Sequence, residues 1–266
     1  MWVLRIPIYI VIGYALFCAI VYFIQQRLLY FPNSNMPLEK DLKAVGLAYW
    51  PSETELFRGF VNINIDIQKP GVIIVFHGNA GAAWNREYYT DVLGELGYRV
   101  VLAEYPSYGG RPGNLGEKSF VADAKQTVLL AQQQFGEPVY VCGESLGAAV
   151  AAAVAADPQV GVAGVIAITP WDTLPDLAQS IYWFLPARWF VRDKYDNIRN
   201  LTAFGGKVAV AIAEHDEIVP TRHGIGLYNS LPNSKKMWTI QGANHNTWPS
   251  LVGVAWWQDV LSFFAQ

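Results

Sequence analysis

Residues 139–147 (VYVCGESLG) constrain the fold more tightly than any other stretch of the chain. A short apolar run ends in two glycines flanking Glu-Ser-Leu, and an alanine-rich run (AAVAAAVAA, 148–156) follows at once. A buried strand must therefore turn sharply into a buried helix, with Ser145 at the turn. A serine placed there takes a strained backbone conformation that lifts its Oγ clear of the sheet. Gly143 and Gly147 permit the turn and the close approach of helix to strand. The helix N-terminus brings free N–H groups and the positive end of its dipole to the same place. A bare G-x-S-x-G arises often by chance; set between strand and helix it marks Ser145 as a nucleophile.

The rest of the chain repeats that rhythm. Short apolar runs at 72–76, 100–103, 139–142, 165–168 and 208–213 alternate with helical-period stretches at 85–96, 115–135, 146–156 and 221–231. Residues 237–240 predict a last strand and 251–264 a last helix. Strands interleaved with helices argue a mostly parallel sheet covered on both faces. Residues 60–67 (FVNINIDI) alternate apolar and polar with period two, which predicts an edge-type antiparallel strand. The segment 170–206 breaks the pattern. It holds Pro175, Pro186 and the aromatics Trp171, Tyr182, Trp183, Phe184, Trp189 and Phe190, and a small lid is expected there. Trp183, Phe184 and Trp189 are the expected acyl-pocket lining; packing on the core or resting on a bilayer is the alternative for such residues.

At the N-terminus, residues 6–24 form a run of 19 residues without a charge. At ~1.5 Å per residue this nearly crosses a ~30 Å hydrocarbon core. Arg5 and Arg27 bracket it, and Tyr9, Tyr14, Tyr22 and Tyr30 lie along it and near its ends, as interfacial anchors do. The run is longer than a usual signal-peptide core, and no small-x-small cleavage site follows it. An uncleaved anchor over residues 1–27 is expected, followed by one full-sized catalytic domain over 28–266, with 170–206 as a lid-like insertion. Basic residues balance across the run, so they assign no orientation. The 266 residues leave no room for a second large domain. A composition of 52% hydrophobic and 15% charged residues suits a sheet buried on both faces plus an anchor. A net charge of −3 without a basic run gives no electrostatic support for a nucleic-acid partner. Cys18 lies in the apolar run and Cys142 in a core strand, so no disulfide between them is expected.

A serine nucleophile on such an elbow needs an acid and then a histidine further along the chain. His245 falls in a loop (GANHN) between the last strand and last helix, the place for the base. Asp216, in AEHDEIVP after a buried strand, is placed to orient it, with Glu217 the substitute. His77 and His215 stand at strand ends; His77 reads as a structural buttress of its loop and His223 as a surface helix histidine. Asp172 and Asp196 read as structural. The small residues in FHGNAG let backbone N–H groups face a substrate carbonyl, which assigns the oxyanion hole to the N–H groups of Asn79 and Leu146. No metal-ligand spacing is visible, and neither metal nor cofactor is expected.

FHGNAG, AEYPSYGGRPG, GESLG, AEHDEIVP and GANHN, in this order and with LLYFP (28–32) ahead of them, resemble the membrane-anchored branch of the α/β-hydrolases. That branch includes eukaryotic protein depalmitoylases and bacterial hydrolases. The resemblance implies an α/β-hydrolase fold and Ser145, Asp216 and His245 as a triad. The cysteine-rich palmitoylated N-terminus of some depalmitoylases is absent; a transmembrane run stands in its place. The expected activity is cleavage of carboxylic esters or thioesters of acyl chains, or of lipids carrying them, at a membrane surface. An aminopeptidase-like hydrolase, needing acidic groups for a substrate amine, and a non-catalytic membrane-anchored scaffold are the alternatives.

Overall fold

Five runs of apolar residues with almost no polar interruption can only be strands covered on both faces, and the chain arranges its helices to cover them. The computed structural model describes residues 5–52, 56–63, 65–68, 71–136, 138–232 and 234–265. In chain order these form α1 (Arg5–Leu29), β1 (Phe31–Pro32), α2 (Glu39–Ala44), β2 (Leu47–Trp50), β3 (Gly59–Asn62), β4 (Val72–Phe76) and β5 (Ala80–Gly81). There follow α3 (Glu87–Glu95), β6 (Arg99–Ala103), α4 (Glu117–Phe135), β7 (Val139–Glu144), α5 (Leu146–Ala155) and β8 (Gly164–Ile168). The last third holds α6 (Leu174–Ile181), α7 (Ala187–Phe190), α8 (Asn197–Phe204), β9 (Val208–Ala213), α9 (Thr221–Ser230), β10 (Lys235–Ile240) and α10 (Val254–Ala265).

Eight strands pair in the order β10-β9-β8-β7-β4-β6-β3-β2. The ladder is parallel from β10 to β6, and antiparallel where β3 meets β6 and β2 meets β3. Successive side chains of a strand point to opposite faces, and β4 shows the result. Val72, Ile74 and Phe76 join the core that also holds residues of α4, α5, α8 and α9. Ile73 and Val75 join the core that holds residues of α3 and α10. Nearly all of α5 is buried, which explains its all-round apolar sequence.

Two expectations are corrected. Residues 60–67 do not form an edge strand: β3 is confined to Gly59–Asn62, lies between β2 and β6, and is buried throughout. Its polar residue Asn62 is tolerated inside because its side chain donates to Tyr98 O (3.0 Å) and accepts from Val100 N–H (2.9 Å). Of the 170–206 segment, α8 packs on α5 as the crossover helix between β8 and β9 and α6 adds Leu174 and Leu177 to the same core, so only the far end of α6, the turn after it and α7 stand apart from the body. They lie instead against α1, a helix exposed along nearly its whole length.

The elbow works because two glycines leave room for backbone. A Cβ on Gly143 would stand 2.1 Å from Gly147 O, and one on Gly147 would stand 1.9 Å from Phe76 O. Neither contact can be relieved by moving a side chain. Gly147→Ala is therefore expected to destabilise the fold by more than about 4 kcal/mol. Gly253→Ala, where nothing lies within 4 Å, should stay within about 0.5 kcal/mol. Denaturant unfolding of the two variants checks the contrast.

Candidate active site

Ser145 has φ 53° and ψ −113°, a left-handed conformation that costs a non-glycine residue about 1–3 kcal/mol. The strain is fixed by the close packing just described and by the Ser145 N–H, which donates to Ile168 O at 2.9 Å. Ser145 lines a cleft of about 510 Å³ together with Asn79, Arg86, Glu144, Ile218, His245 and Trp248.

The loop after β9 carries Asp216, whose side chain is only 3% exposed. Its Oδ1 accepts the N–H groups of Ile218 (3.0 Å) and Val219 (2.7 Å), and its Oδ2 stands 2.8 Å from His245 Nδ1. A carboxylate accepts, so Nδ1 carries the proton and Nε2 is left as the basic nitrogen. Glu217, the substitute acid, is exposed.

The loop after β4 is held from both sides. Asn79 O accepts from Phe31 N–H (2.9 Å) and from the Tyr108 hydroxyl (2.6 Å), and Asn79 Nδ2 donates to Leu29 O (2.8 Å). Gly78 N–H is consumed by Glu144 Oε1 (3.1 Å). Among the described residues no hydrogen-bond partner meets the N–H of Asn79 or of Leu146. His77 is buried, with Nδ1 2.7 Å from Gly78 O and Nε2 3.0 Å from Glu104 Oε1, the place of a loop buttress.

Sequence reasoning passed over Glu144, the variable residue before Ser145. Its carboxylate is buried and accepts from Gly78 N–H, Arg86 Nε and the Tyr88 hydroxyl. Burial alone pushes its pKa up, but the Arg86 charge and these hydrogen bonds outweigh burial and hold it below the ordinary carboxylate range. Burial in turn works against the Arg86 charge, and Glu144 overrides it, so the guanidinium pKa lies above its ordinary value. Nothing in the local sequence pairs position 86 with position 144; only the fold does.

Four further residues stand elsewhere than expected. His223 is buried rather than on the surface, because α9 turns it inward, with Nδ1 2.9 Å from Asp172 Oδ1 and Nε2 2.9 Å from Ser180 Oγ. This trio mimics a Ser-His-Asp set, but Ser180 sits inside α6 and its Oγ donates to Leu177 O, so it lacks an elbow. It fastens α6 to α9. Trp183, Phe184 and Trp189 are absent from the cleft lining. The small and aliphatic residues of the α6–α7 hairpin, Ala178, Leu185 and Ala187, turn toward Cys18 and Val21 of α1, which leaves the aromatics facing outward.

Residues 68–194 match the family model described as serine aminopeptidase, S33. A protein of Mycobacterium tuberculosis described as uncharacterized is 29% identical over 228 residues, covering 84% of this chain and 80% of that protein. The lysophosphatidylserine lipase ABHD12 of Danio rerio is 29% identical over 185 residues, 62% of this chain but only 48% of its own length. Among solved structures, an esterase of Pyrococcus furiosus superposes with a TM-score of 0.65 at 19% identity, covering 89% of this chain and 97% of that one. Est1E from Butyrivibrio proteoclasticus gives 0.63 at 18%, covering 83% and 100%. The likeness to these solved structures shows that the chain has the α/β-hydrolase fold.

Glu144→Gln keeps an acceptor for Gly78 N–H but strips Arg86 of its counter-charge. A loss of about 3 kcal/mol or more is expected. Because the folded carboxyl titrates below its unfolded value, the stability it contributes is present above the ordinary carboxylate range. It is lost as pH falls through the lower folded value. Chemical denaturation from pH 7 to pH 3 should therefore show the variant's deficit shrinking on the acid side.

Proposed function

We propose that the protein is a membrane-tethered serine hydrolase that cleaves carboxylic esters or thioesters of acyl chains through an acyl-serine intermediate. The observation that carries this reading is the 2.8 Å contact of Asp216 with His245 Nδ1, in a histidine that shares its cleft with a serine held in strained elbow geometry. Ser145 Oγ attacks the acyl carbonyl and His245 Nε2 takes its proton. Charge gathers on the carbonyl oxygen, where the unpartnered N–H groups of Asn79 and Leu146 stabilise it. His245 then protonates the departing alcohol or thiol, and water, activated by the same nitrogen, releases the acid.

Ester cleavage is supported by the relative named as a lipase and by the structural neighbours named as esterases. The match to the serine aminopeptidase description favours a second reading, cleavage next to a free amine. That reading needs an uncompensated acidic group in the cleft. The Glu144 carboxylate that lines it is neutralised by Arg86, which supports the ester or thioester.

Tethering is supported by α1: residues Ile6–Leu29 are long and apolar enough to cross a membrane, with mean hydropathy 2.2 over the strongest window. We assign residues 1–27 to the anchor and 28–266 to a hydrolase domain whose lid is narrowed to α6 and α7.

Ser145→Ala and His245→Ala are each expected to lower ester hydrolysis on the order of 10⁵- to 10⁶-fold, and Asp216→Asn roughly 10⁴-fold. Fluorophosphonate labelling should vanish in Ser145→Ala and persist in His223→Ala. Labelling that survives in Ser145→Ala, or a loss in His223→Ala matching that of His245→Ala, overturns the assignment. A panel of acyl esters, thioesters and aminoacyl amides separates the two substrate readings.

A further inference from the structure

The aromatics that miss the cleft form an exposed patch of a kind rare on water-facing surfaces. Trp183 and Trp189 are each 80% exposed, and Phe184 and Phe190 are exposed beside them. The hairpin that carries them lies along the half of α1 nearest the catalytic domain. Tyr14 Oη donates to Phe184 O (2.8 Å), Cys18 and Val21 pack on Leu185 and Ala187, and Gln25 reaches Phe190 O and Arg192 N–H (3.3 and 2.8 Å). Tyr14 and Gln25 are separated by about 16 Å of helix at ~1.5 Å per residue, about half of a ~30 Å hydrocarbon core.

Two further features set this hairpin apart from an ordinary surface loop. Several backbone groups of its turn and of α7 are met by side chains: Gln179 donates to Leu185 O (2.9 Å) and accepts from Arg188 N–H (3.2 Å), while α1 serves Phe184 O and Phe190 O. Water-facing loops leave such groups to solvent, whereas lipid demands that they be met internally. Across α6 and α7 the charged side chains are Asp176 and Arg188, and they pair with each other at 2.6 Å. A segment with exposed tryptophans, carbonyls met by side chains and mutually neutralised charge matches the chemistry of a bilayer interface.

We propose that the tip of the α6–α7 hairpin, residues 182–190, is a second membrane-inserted element, entering the leaflet next to the catalytic domain alongside α1. The inference rests on the reading of α1 as a membrane anchor and adds a consequence for the site. Phe31, two residues past the end of α1, is 52% exposed and lines the catalytic cleft, as does exposed Ile218. With α1 and the hairpin both in the leaflet, the cleft mouth rests at the headgroups, and an acyl lipid reaches Ser145 from the bilayer rather than from bulk water.

Full-length protein carrying Cys18→Ala and one new cysteine, at Trp183, Trp189, Ile10 or Gln159, is labelled with an environment-sensitive fluorophore. It is then reconstituted into phosphatidylcholine–phosphatidylglycerol vesicles with or without nitroxide on the lipid chains. Retained fluorophosphonate labelling certifies each fold. The expected result is a blue-shifted emission, quenched by the nitroxide lipids, at positions 183, 189 and 10, and water-like emission at 159. Quenching at 10 with water-like emission at 183 and 189 overturns the hairpin proposal and leaves the anchor standing. Water-like emission at all four positions overturns both. A blue-shifted label at 183 and 189 that nitroxide lipids do not quench means that a protein surface, such as a second copy of the chain, covers the hairpin, and equally overturns the proposal.

Discussion

A methyl group on Gly147 would meet Phe76 O at 1.9 Å, and the rest of the catalytic edge depends on how closely α5 thereby approaches β4 and β7. At this distance the end of β4, the end of β7 and the first turn of α5 form one backbone-to-backbone contact. Ser145 has no relaxed conformation available, and the N–H of Leu146 is brought beside the loop that holds Asn79. A sheet buried on both faces supplies the rigidity, because a well-packed interior transmits strain instead of absorbing it.

Around that contact, buried carboxylates hold the loops. Glu104 accepts the N–H groups of Ala83 and Tyr105 and stands beside His77. Glu144 ties Gly78 to Arg86 and Tyr88, and Asp216 gathers two N–H groups of its own loop before it meets His245. Charge-assisted hydrogen bonds are stronger than neutral ones, and each acid fixes a loop that carries no regular structure of its own. One loop presents an N–H free of partners and another presents a basic nitrogen. The third, Glu144, draws Gly78 N–H away, which leaves Asn79 N–H as the unpartnered amide of that turn.

What the sequence made legible was local or followed from chain order. Apolar runs marked the parallel strands because burial on both faces removes polar residues. The elbow announced itself by its glycines, and order along the chain singled out Asp216 and His245, which the structure brings to 2.8 Å. What stayed hidden came from contacts between distant segments. Asn62 made 60–67 look like a half-exposed edge, since its buried hydrogen bonds to residues 98 and 100 leave no trace in its own neighbourhood. His223 looked like a surface residue for lack of any sign that α6 would cover it. The aromatics of the hairpin were read as pocket lining because composition reports that a surface is apolar, not which way it faces.

The link between Asn79 and Leu29 changes what α1 is. Its last carbonyl accepts the side chain of the residue that carries a candidate oxyanion amide, and the next residues, Phe31 and Pro32, pair with Ala80 and Gly81 as a small parallel ladder. The helix is thus no detachable leash that any hydrophobic span could replace. A chimera with a foreign span would have to rejoin in register, with residues 29–32 kept intact, or the turn beside Ser145 would lose a wall. With α1 seated in a bilayer as proposed, any tilt of the helix would have a stiff path to the same turn. On the proposed anchoring, bilayer thickness, a property of the surroundings, would become a mechanical input to the turn beside Ser145.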